Sequence, residues 1–563
     1  MFSARLNFTS QLALGRDLLY QGLLSNYGAV VRTTSILFFG ILWVAAVPLG
    51  TVFGSGPGTS ESPRVQQQTR DSPTATPQRN VVLFVTDDES TTLGCYGDPV
   101  AVTPAIDALA ADGVRFTHAF ATTASCSASR SVILSGLQNH LNGQYGHQHH
   151  FHKFASYPDV VRLALPRLME NGGYRTARCG KYHVAPTSVY HFETVIPGNT
   201  RSPVVMAENC RQFISDKESG QPFFLYFATS DPHRSGQLVQ ESELKRKPNR
   251  FGNLLPGKKY PGIEPVRYDA AKVPVPGFLP DTAETRAELA QYYQACSRID
   301  QGLARLVQIL KEANVYDSTM IIFTSDHGMA FAGAKTNVYE AGLHVPFVVR
   351  DPYQKRRGLV SNALISHTDI TPSILDFAGL LAESGDRPRD PIDPQELWQK
   401  AGLWGGENRS GGYALDRYHG RSWLEALSGE PQGDRQREYV IASHTFHEIQ
   451  MYYPMRVYRD RKYKLIWNIA HKLDYPFASD LWAAPSWQAQ WEKGMEANYG
   501  HKTVGQYLHR PAFELYDMQV DPEESRNLAS DPKYQEILKQ YQQKLRSAQK
   551  TLEDPWVTKW DYE

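Results

Sequence analysis

Three separate apolar runs constrain the fold of this 563-residue chain more than any other feature. They cover residues 80–86, 222–228 and 319–324. A short, continuous apolar run is typical of a strand that is buried on both faces, as in a parallel sheet covered by helices. The sequence therefore predicts an α/β fold in which helices flank a central, mostly parallel sheet.

Polar side chains follow each of these runs. Asp87 and Asp88 follow the first run, His233 the second, and Asp326 and His327 the third. In open α/β sheets, ligands bind at the carboxyl ends of the strands. Neighbouring carboxylates repel one another unless a cation or a base neutralises them. The pattern indicates a divalent cation that holds an anionic substrate, although a solvated acidic turn is the simpler interpretation of the first pair alone.

A cysteine stands at the predicted start of a helix. Cys126 lies among small hydroxyl residues, and an apolar run follows at residues 132–134. Backbone N–H groups at a helix start favour an anion, and Arg130, four residues later, would share the face of Cys126. This combination suits attack on a tetrahedral oxyanion. Taken alone, Cys126 is more simply interpreted as a packed structural thiol.

A histidine-rich tract follows that helix. Its irregular spacing does not match a helical metal-binding motif, so the tract either lines a polar pocket or forms a solvated loop. Further along, Lys181 and His183 would share a face if their segment is extended. Lys335 lies in a loop that contains Gly and Ala. The histidines of the tract are His140, His147, His149, His150 and His152.

Composition and charge exclude several classes of protein. The chain has 59 basic and 59 acidic residues, so it has no net charge and no nucleic-acid-binding footprint. Its 41% hydrophobic content is that of an ordinary globular protein. The cysteines lack a CxxC spacing for zinc, and their disulfide pairing stays open, although Cys296 lies on the apolar stripe of a predicted helix. They are Cys95, Cys126, Cys179, Cys210 and Cys296.

The chain divides into four predicted segments. Residues 1–53 include an apolar run at 35–53, interpreted either as a signal peptide or as a membrane anchor, so the body is expected in a periplasmic, secreted or lysosome-like location. Residues 54–78 predict a flexible linker. Residues 79–434 form the predicted main domain. Residues 435–563, with short alternating runs, predict a smaller α+β domain with an antiparallel sheet.

In their order, these motifs resemble those of the sulfatases of the alkaline phosphatase superfamily. Within that family the heparan sulfamidase branch is the most similar, because residues 447–456 and 554–556 also match. The resemblance covers about residues 79–560 and implies the fold predicted above. The motifs are Asp87-Asp88, Cys126-x-Ala-x-Arg130, Gly180-Lys181-Tyr182-His183, Asp231-Pro232-His233-Arg234, Asp326-His327-Gly328 and Lys335.

The resemblance implies an enzyme with a modified nucleophile and one calcium ion. Cys126 would be oxidised to formylglycine, whose hydrated aldehyde attacks sulfur, and Arg130 would stabilise that hydrate. Side chains that would hold Ca²⁺ are those of Asp87, Asp88, Cys126, Asp326 and His327. Side chains that would grip the sulfo oxygens and protonate the leaving group are those of Lys181, His183, His233 and Lys335.

The resemblance also implies the partners. A sulfated saccharide would be the substrate, and the C-terminal domain would complete its pocket, with His447 and Glu448 on the sugar. A formylglycine-generating or other sulfatase-maturing enzyme would act on Cys126. Whether the chain forms a homodimer stays open.

Three positions depart from the family pattern. Ala128 stands where the maturation motif commonly carries proline, and His327 and Lys335 stand where sulfamidases tend to carry Asn and Arg. The expected substrate is N-sulfoglucosamine at the ends of heparan-like chains. The alternatives are a sulfatase for O-sulfated carbohydrates, a phosphodiester or phosphonate hydrolase, and an inactive glycan-binding protein if Ala128 blocks maturation.

Overall fold

The computed structural model describes residues 79–216, 220–381, 418–429 and 437–562. In these residues no helix combines the length and the apolar composition needed to cross a membrane. The apolar run at 35–53, the linker at 54–78 and the domain boundary at 434/435 lie outside them.

The larger sheet has eight strands in the order β4-β3-β5-β1-β6-β7-β2-β8. Only β7 runs antiparallel to its neighbours, so the prediction of a mostly parallel sheet is confirmed. The strands are β1 (Asn80–Thr86), β2 (Val114–Phe120), β3 (Arg175–Gly180), β4 (Thr194–Ile196), β5 (Phe223–Ala228), β6 (Thr319–Ser325), β7 (Phe347–Arg350) and β8 (Leu359–Ser366).

The central strand β1 shows why its sequence is apolar throughout. Val81, Leu83 and Val85 pack into one buried cluster, and Val82 and Phe84 pack into another. Successive side chains of a strand point to opposite faces of the sheet. Both faces of β1 are therefore covered, so a polar side chain at any of these five positions would lie away from water.

Helices cover the sheet, and shorter ones lie in the connections. The 30-residue α6 is the longest of those described, and it packs against α5. The helices are α1 (Pro104–Ala111), α2 (Cys126–Ile133), α3 (Asn139–Asn142), α4 (Leu165–Asn171), α5 (Pro203–Ser215), α6 (Ala283–Glu312), α7 (Glu340–Leu343), α8 (Ile370–Phe377), α9 (Ser479–Trp482), α10 (Pro485–Trp491), α11 (Val504–Leu508) and α12 (Gln535–Thr551).

The C-terminal part contains a separate antiparallel sheet in the order β14-β11-β10-β9, as predicted. Its strand β9 contacts the segment that follows β2 of the larger sheet, because the Ser443 N–H donates to the Thr122 carbonyl at 2.8 Å. The remaining strands are β9 (Tyr439–His444), β10 (Met455–Asp460), β11 (Tyr463–Asn468), β12 (Asn498–Tyr499), β13 (Lys502–Thr503) and β14 (Phe513–Asp517).

A buried ion pair ties this sheet to the C-terminal segment. On β10, Arg456 donates from Nε to Asp554 Oδ2 at 2.6 Å and from Nη2 to Oδ1 at 3.1 Å. Burial opposes ionisation of Asp554, but Arg456 outweighs it and lowers the carboxyl pKa from 3.8 to about 2. A carboxyl whose pKa is depressed in the folded state stabilises the protein above its unfolded pKa, and this contribution disappears as the pH falls through the folded pKa.

Asp554→Asn is therefore expected to destabilise the protein by about 3 kcal/mol near neutral pH, because it leaves Arg456 buried without its counter-ion. The deficit should shrink as the pH falls from about 4 to about 2. Urea unfolding across that range measures it. Asp561→Asn, which removes an exposed partner of Arg546, is the control and should change little. A deficit that is equal at every pH would contradict the ion-pair account.

Candidate active site

The ends of β1 and β6 bring two acidic segments together. The strands are parallel neighbours, with Thr86 in register with Ser325, so the residues that follow leave the sheet at one edge. The Asp88 N–H donates to Asp326 Oδ1 at 3.0 Å, and His327 Nε2 lies 3.0 Å from Asp88 Oδ1. All these side chains are buried.

Helix α2 begins at Cys126 and directs the thiol to this edge. Ser125 before it is extended, so the helix starts abruptly at the cysteine. Cys126 Sγ lies 3.4 Å from His327 Nε2 and 3.6 Å from Asp88 Oδ1. Burial raises the pKa of the thiol well above its ordinary value, although Lys181 and Lys335 oppose this. The unmodified side chain is thus a protonated thiol at neutral pH.

Arg130, one turn into α2, links the two acidic segments. It donates to Asp326 Oδ2 from Nε at 3.0 Å and to Asp87 Oδ1 from Nη2 at 3.3 Å. Its Nη1 donates at 2.9 Å to the hydroxyl of Tyr226, on β5. Burial opposes ionisation of Asp87, but Lys181, His233 and Arg130 outweigh it and hold its pKa well below the ordinary value.

Four side chains at this edge offer donors for a divalent cation. Donor atoms of Asp88, Cys126, Asp326 and His327 lie within 4.8 Å of one another. Burial raises the pKa of Asp326 to about 6 despite Arg130, and the charge of Asp87 adds to this rise. Asp326 therefore carries a negative charge less readily than Asp87 and Asp88, whose pKa values neighbouring cations lower. The carboxylate oxygens of Asp88 and Asp326 suit a hard cation such as Ca²⁺, whereas the sulfur of Cys126 and the nitrogen of His327 suit softer ions.

Two lysines and a histidine border the acidic group. Lys181 Nζ donates to Asp87 Oδ2 at 2.5 Å, so this carboxylate, a predicted metal ligand, is shared between Lys181 and Arg130. Lys335 Nζ donates to Asp88 Oδ2 at 3.0 Å and lies 2.8 Å from His233 Nε2. Because His233 Nδ1 lies 2.6 Å from the Arg234 carbonyl, Nδ1 donates there and Nε2 accepts from Lys335.

Asp480 belongs to this group but was missed by the sequence reasoning. It lies on α9, and its Oδ2 is 3.0 Å from Lys335 Nζ and 3.9 Å from His233 Nε2. Burial opposes its ionisation, but Lys335 and His233 hold its pKa below the ordinary value. A single aspartate far from every motif carries no signal in the sequence. Tyr226 was missed for a similar reason, since it is one more aromatic residue in a buried strand.

The loop after β9 adds the two predicted sugar contacts. His447 Nδ1 lies 2.9 Å from the Ser125 hydroxyl oxygen, immediately before Cys126. Glu448 accepts from the Ser479 hydroxyl at 2.8 Å and from the side-chain amide of Gln450. His447 therefore reaches the site directly. The Glu448 carboxylate instead bonds within the protein, beside Asp480.

The histidine tract is neither wholly a pocket lining nor wholly a solvated loop. His147 is buried and His150 is exposed, with His149 and His152 between these extremes. His183, from the loop after β3, reaches the tract, and its Nε2 lies 2.9 Å from His149 Nδ1. The structure thus brings together the predicted site residues along one edge, with His147, His149 and His152 of the tract beside them, whereas His140 contacts the Leu552 carbonyl at 2.6 Å.

Comparison with known proteins finds sulfatases that match most of this chain. A family model described as Sulfatase matches residues 79–380. Human N-sulphoglucosamine sulphohydrolase is 35% identical over 494 residues, which cover 85% of this chain and 91% of that protein.

Solved structures show the same fold. One is the structure of a protein in complex with its substrate, D-glucosamine-2-N,6-O-disulfate. The TM-score is 0.56 at 18% identity, and the match covers 85% of this chain and 98% of that chain. Another is the phosphonate monoester hydrolase of Agrobacterium radiobacter, with a TM-score of 0.56, 18% identity and coverage of 84% and 96%.

Proposed function

Because the chain belongs to the sulfatase family of hydrolases, we propose that it releases sulfate from a sulfated glycan, with N-sulfoglucosamine at the ends of heparan-like chains as its preferred substrate. One observation carries this proposal. Cys126, an acidic group and two lysines converge at one strand edge, in a chain 35% identical to a human enzyme named for N-sulphoglucosamine.

We propose that Cys126 is the precursor of formylglycine. Its place at the start of α2, facing Asp88 and His327, suits a nucleophile held against a cation. The residues that would hold Ca²⁺ are Asp88, Asp326, His327 and the side chain at position 126, with Asp87 beside them. When present, the ion would neutralise charge on the sulfo group, and the hydrated aldehyde would supply the attacking hydroxyl.

The remaining side chains would bind and protonate the substrate. Lys181 and Lys335 offer ammonium donors for the sulfo oxygens, and the acidic partners of each fix its position. An N-sulfo substrate leaves as an amine and needs a proton. We assign delivery of that proton to Lys335 and His233 together: the Lys335 ammonium donates to His233 Nε2, so a proton passed along this hydrogen bond would make His233 Nε2–H the donor to the amine, with His183 on the other side of the acidic group.

The C-terminal residues would complete the pocket. We propose residues 79–434 as the catalytic domain and residues 435–563 as the domain that contributes His447, Glu448 and Asp480. His447, which lies 2.9 Å from the Ser125 hydroxyl, would contact the sugar, while Glu448 would act by holding Ser479 beside Asp480. The apolar run at residues 35–53 supports export of the protein.

Sulfate release from matched saccharides tests the substrate. N-sulfoglucosamine and glucosamine 6-O-sulfate differ only in where the sulfo group is attached, so their kcat/KM ratio reports the preference directly. We expect release from the N-sulfo sugar to dominate. Release from the 6-O-sulfated sugar alone would replace this proposal with the O-sulfatase alternative, which His327 and Lys335 favour.

Asp480→Asn is expected to lower kcat/KM by about 10-fold to 100-fold. The substitution weakens a charge-assisted hydrogen bond that positions Lys335, and such bonds contribute about 1.5–3 kcal/mol. Steady-state kinetics on the preferred substrate measure the loss. Asp474→Asn is the matched control, because that exposed carboxylate pairs only with His509 in the described structure. Unchanged kinetics in Asp480→Asn would remove Asp480 from the site.

A further inference from the structure

Three imidazoles gather beside the acidic group without belonging to it. His147 and His149 come from the tract after α3, and His183 comes from the loop after β3. One ring nitrogen of each lies within 4.8 Å of the other two. The ring centroid of His147 is 4.7 Å from that of His149 and 5.0 Å from that of His183.

Hydrogen bonding leaves part of this cluster unsatisfied. His147 is only 5% exposed, and its Nδ1 has no hydrogen-bond partner in the described residues. The Nδ1 of His183 is also buried without one, while its Nε2, the nitrogen that faces His149, lies 2.9 Å from His149 Nδ1. Buried polar atoms in folded proteins nearly always have a partner, and an exception calls for an explanation such as an ion.

The backbone is strained at two of the histidines in these segments. His183 has a φ of 53°, in the left-handed region that residues other than glycine rarely adopt, and His150 in the tract has a φ of 50°. Such strained conformations cluster at active sites and ligand sites. In this conformation the Nε2 of His183 lies 2.9 Å from His149 Nδ1.

The imidazoles are in the form that binds metals. Burial lowers the pKa of His147 and of His183 well below the ordinary value, and neighbouring histidines and Lys181 add to the effect. Burial and the nearby His152 also lower the pKa of His149. Neutral imidazole has a free lone pair, and imidazole ligands suit zinc and similar ions rather than calcium.

We propose that His147, His149 and His183 form a binding site for a divalent transition-metal ion such as Zn²⁺, distinct from the carboxylate group assigned to Ca²⁺. Zinc binds histidine nitrogen at about 2.0–2.1 Å, which separates two ligands of a tetrahedral site by about 3.3 Å. The nitrogens of His149 and His183, now 2.9 Å apart, need to open by only about 0.4 Å. Three protein ligands leave one position open.

The site has a consequence for catalysis that rests on the proposed function. A metal ion on His183 withdraws that ring from the sulfo group. The ring centroid of His147 is also 3.8 Å from that of His447, and His447 contacts Ser125 beside the nucleophile. Zn²⁺ is therefore an inhibitor of sulfate release.

Metal titration of the full-length protein in excess Ca²⁺ tests the proposal. Cys126 and His327 also offer donors that suit Zn²⁺, so the equivalent that belongs to the three histidines is the one that His149→Ala removes. Zn²⁺ binding is measured by calorimetry, and Co²⁺ binding is measured by the visible absorption of a tetrahedral site. We expect His149→Ala to bind one equivalent of either ion fewer than the wild type. His149→Ala should weaken binding by at least about 100-fold, since even loss of an outer-shell partner costs 10–100-fold. His150→Ala removes the adjacent exposed histidine and should bind as the wild type does.

Two results would overturn the metal site: no Zn²⁺ binding by the wild type, or equal binding by His149→Ala. The binding measurement does not depend on activity. A protein that binds Zn²⁺ through His149 but releases no sulfate would contradict the proposed function and leave the metal site supported.

Discussion

Cys126→Ala is expected to lower kcat/KM for sulfate release by at least about 10⁴-fold, as removal of a nucleophile does in other enzymes. The thiol is buried at the start of α2 within 3.6 Å of Asp88 and His327, so it lies at the centre of the acidic group. Stability should change little, since the substitution removes one atom from a polar surrounding. Kinetics and thermal unfolding measured together separate the two effects. Cys95→Ala, at a half-buried cysteine outside the group, is the control.

Cys126→Ser separates the sulfatase proposal from the hydrolase alternative. If the enzyme uses an unmodified side chain as its nucleophile, the serine hydroxyl can take the place of the thiol. If it uses formylglycine, the serine variant lacks the cysteine from which that residue is made. We expect the serine variant to lose most activity. Full activity would favour a phosphodiester or phosphonate hydrolase. Mass spectrometry of the peptide around residue 126 provides the direct check, and a wholly unmodified cysteine in the native host would argue for the inactive glycan-binding alternative.

Arg130→Met is expected to destabilise the calcium-free protein by about 3–5 kcal/mol. The guanidinium is fully buried and donates to both Asp87 and Asp326, so its removal leaves the buried Asp326 carboxylate without its counter-charge and Asp87 with Lys181 alone. The Tyr226 hydroxyl loses its donor as well. Urea unfolding in the presence of a chelator measures the loss. Arg286→Met, which removes an exposed ion pair with Asp281, is the matched control and should unfold like the wild type.

Calcium should reverse part of this loss. An ion that binds only the folded state stabilises it in proportion to the logarithm of its affinity. Without the positive charge of Arg130, the acidic group should bind Ca²⁺ more tightly, so added Ca²⁺ should raise the Tm of Arg130→Met more than that of the wild type. An equal rise in both proteins would mean that Asp326 and Asp87 do not hold the ion.

Much of the site could be predicted because strand ends carry their own signal. The apolar runs at residues 80–86 and 319–324 identified buried strands, and the polar residues after each had to meet at one edge of a parallel sheet. The spacing of Cys126 and Arg130 placed both on one helical face. These inferences depend only on local geometry, which the backbone repeats from protein to protein.

Contacts between loops could not be predicted in this way. The irregular spacing of the histidine tract gave no metal motif, because the third imidazole, His183, comes from another segment. Glu448 matched a family motif, yet its carboxylate bonds to Ser479. No local pattern records which loop a side chain will meet.

The sequence by itself determined the class of fold, the edge at which the chemistry lies and the family. These follow from strand and helix periodicity and from the order of the motifs. The tertiary structure alone decided that Asp480 meets Lys335, that Tyr226 meets Arg130 and that three histidines meet beside the acidic group. Each of these depends on the path of connections between segments far apart in the chain, and packing of the whole domain sets that path.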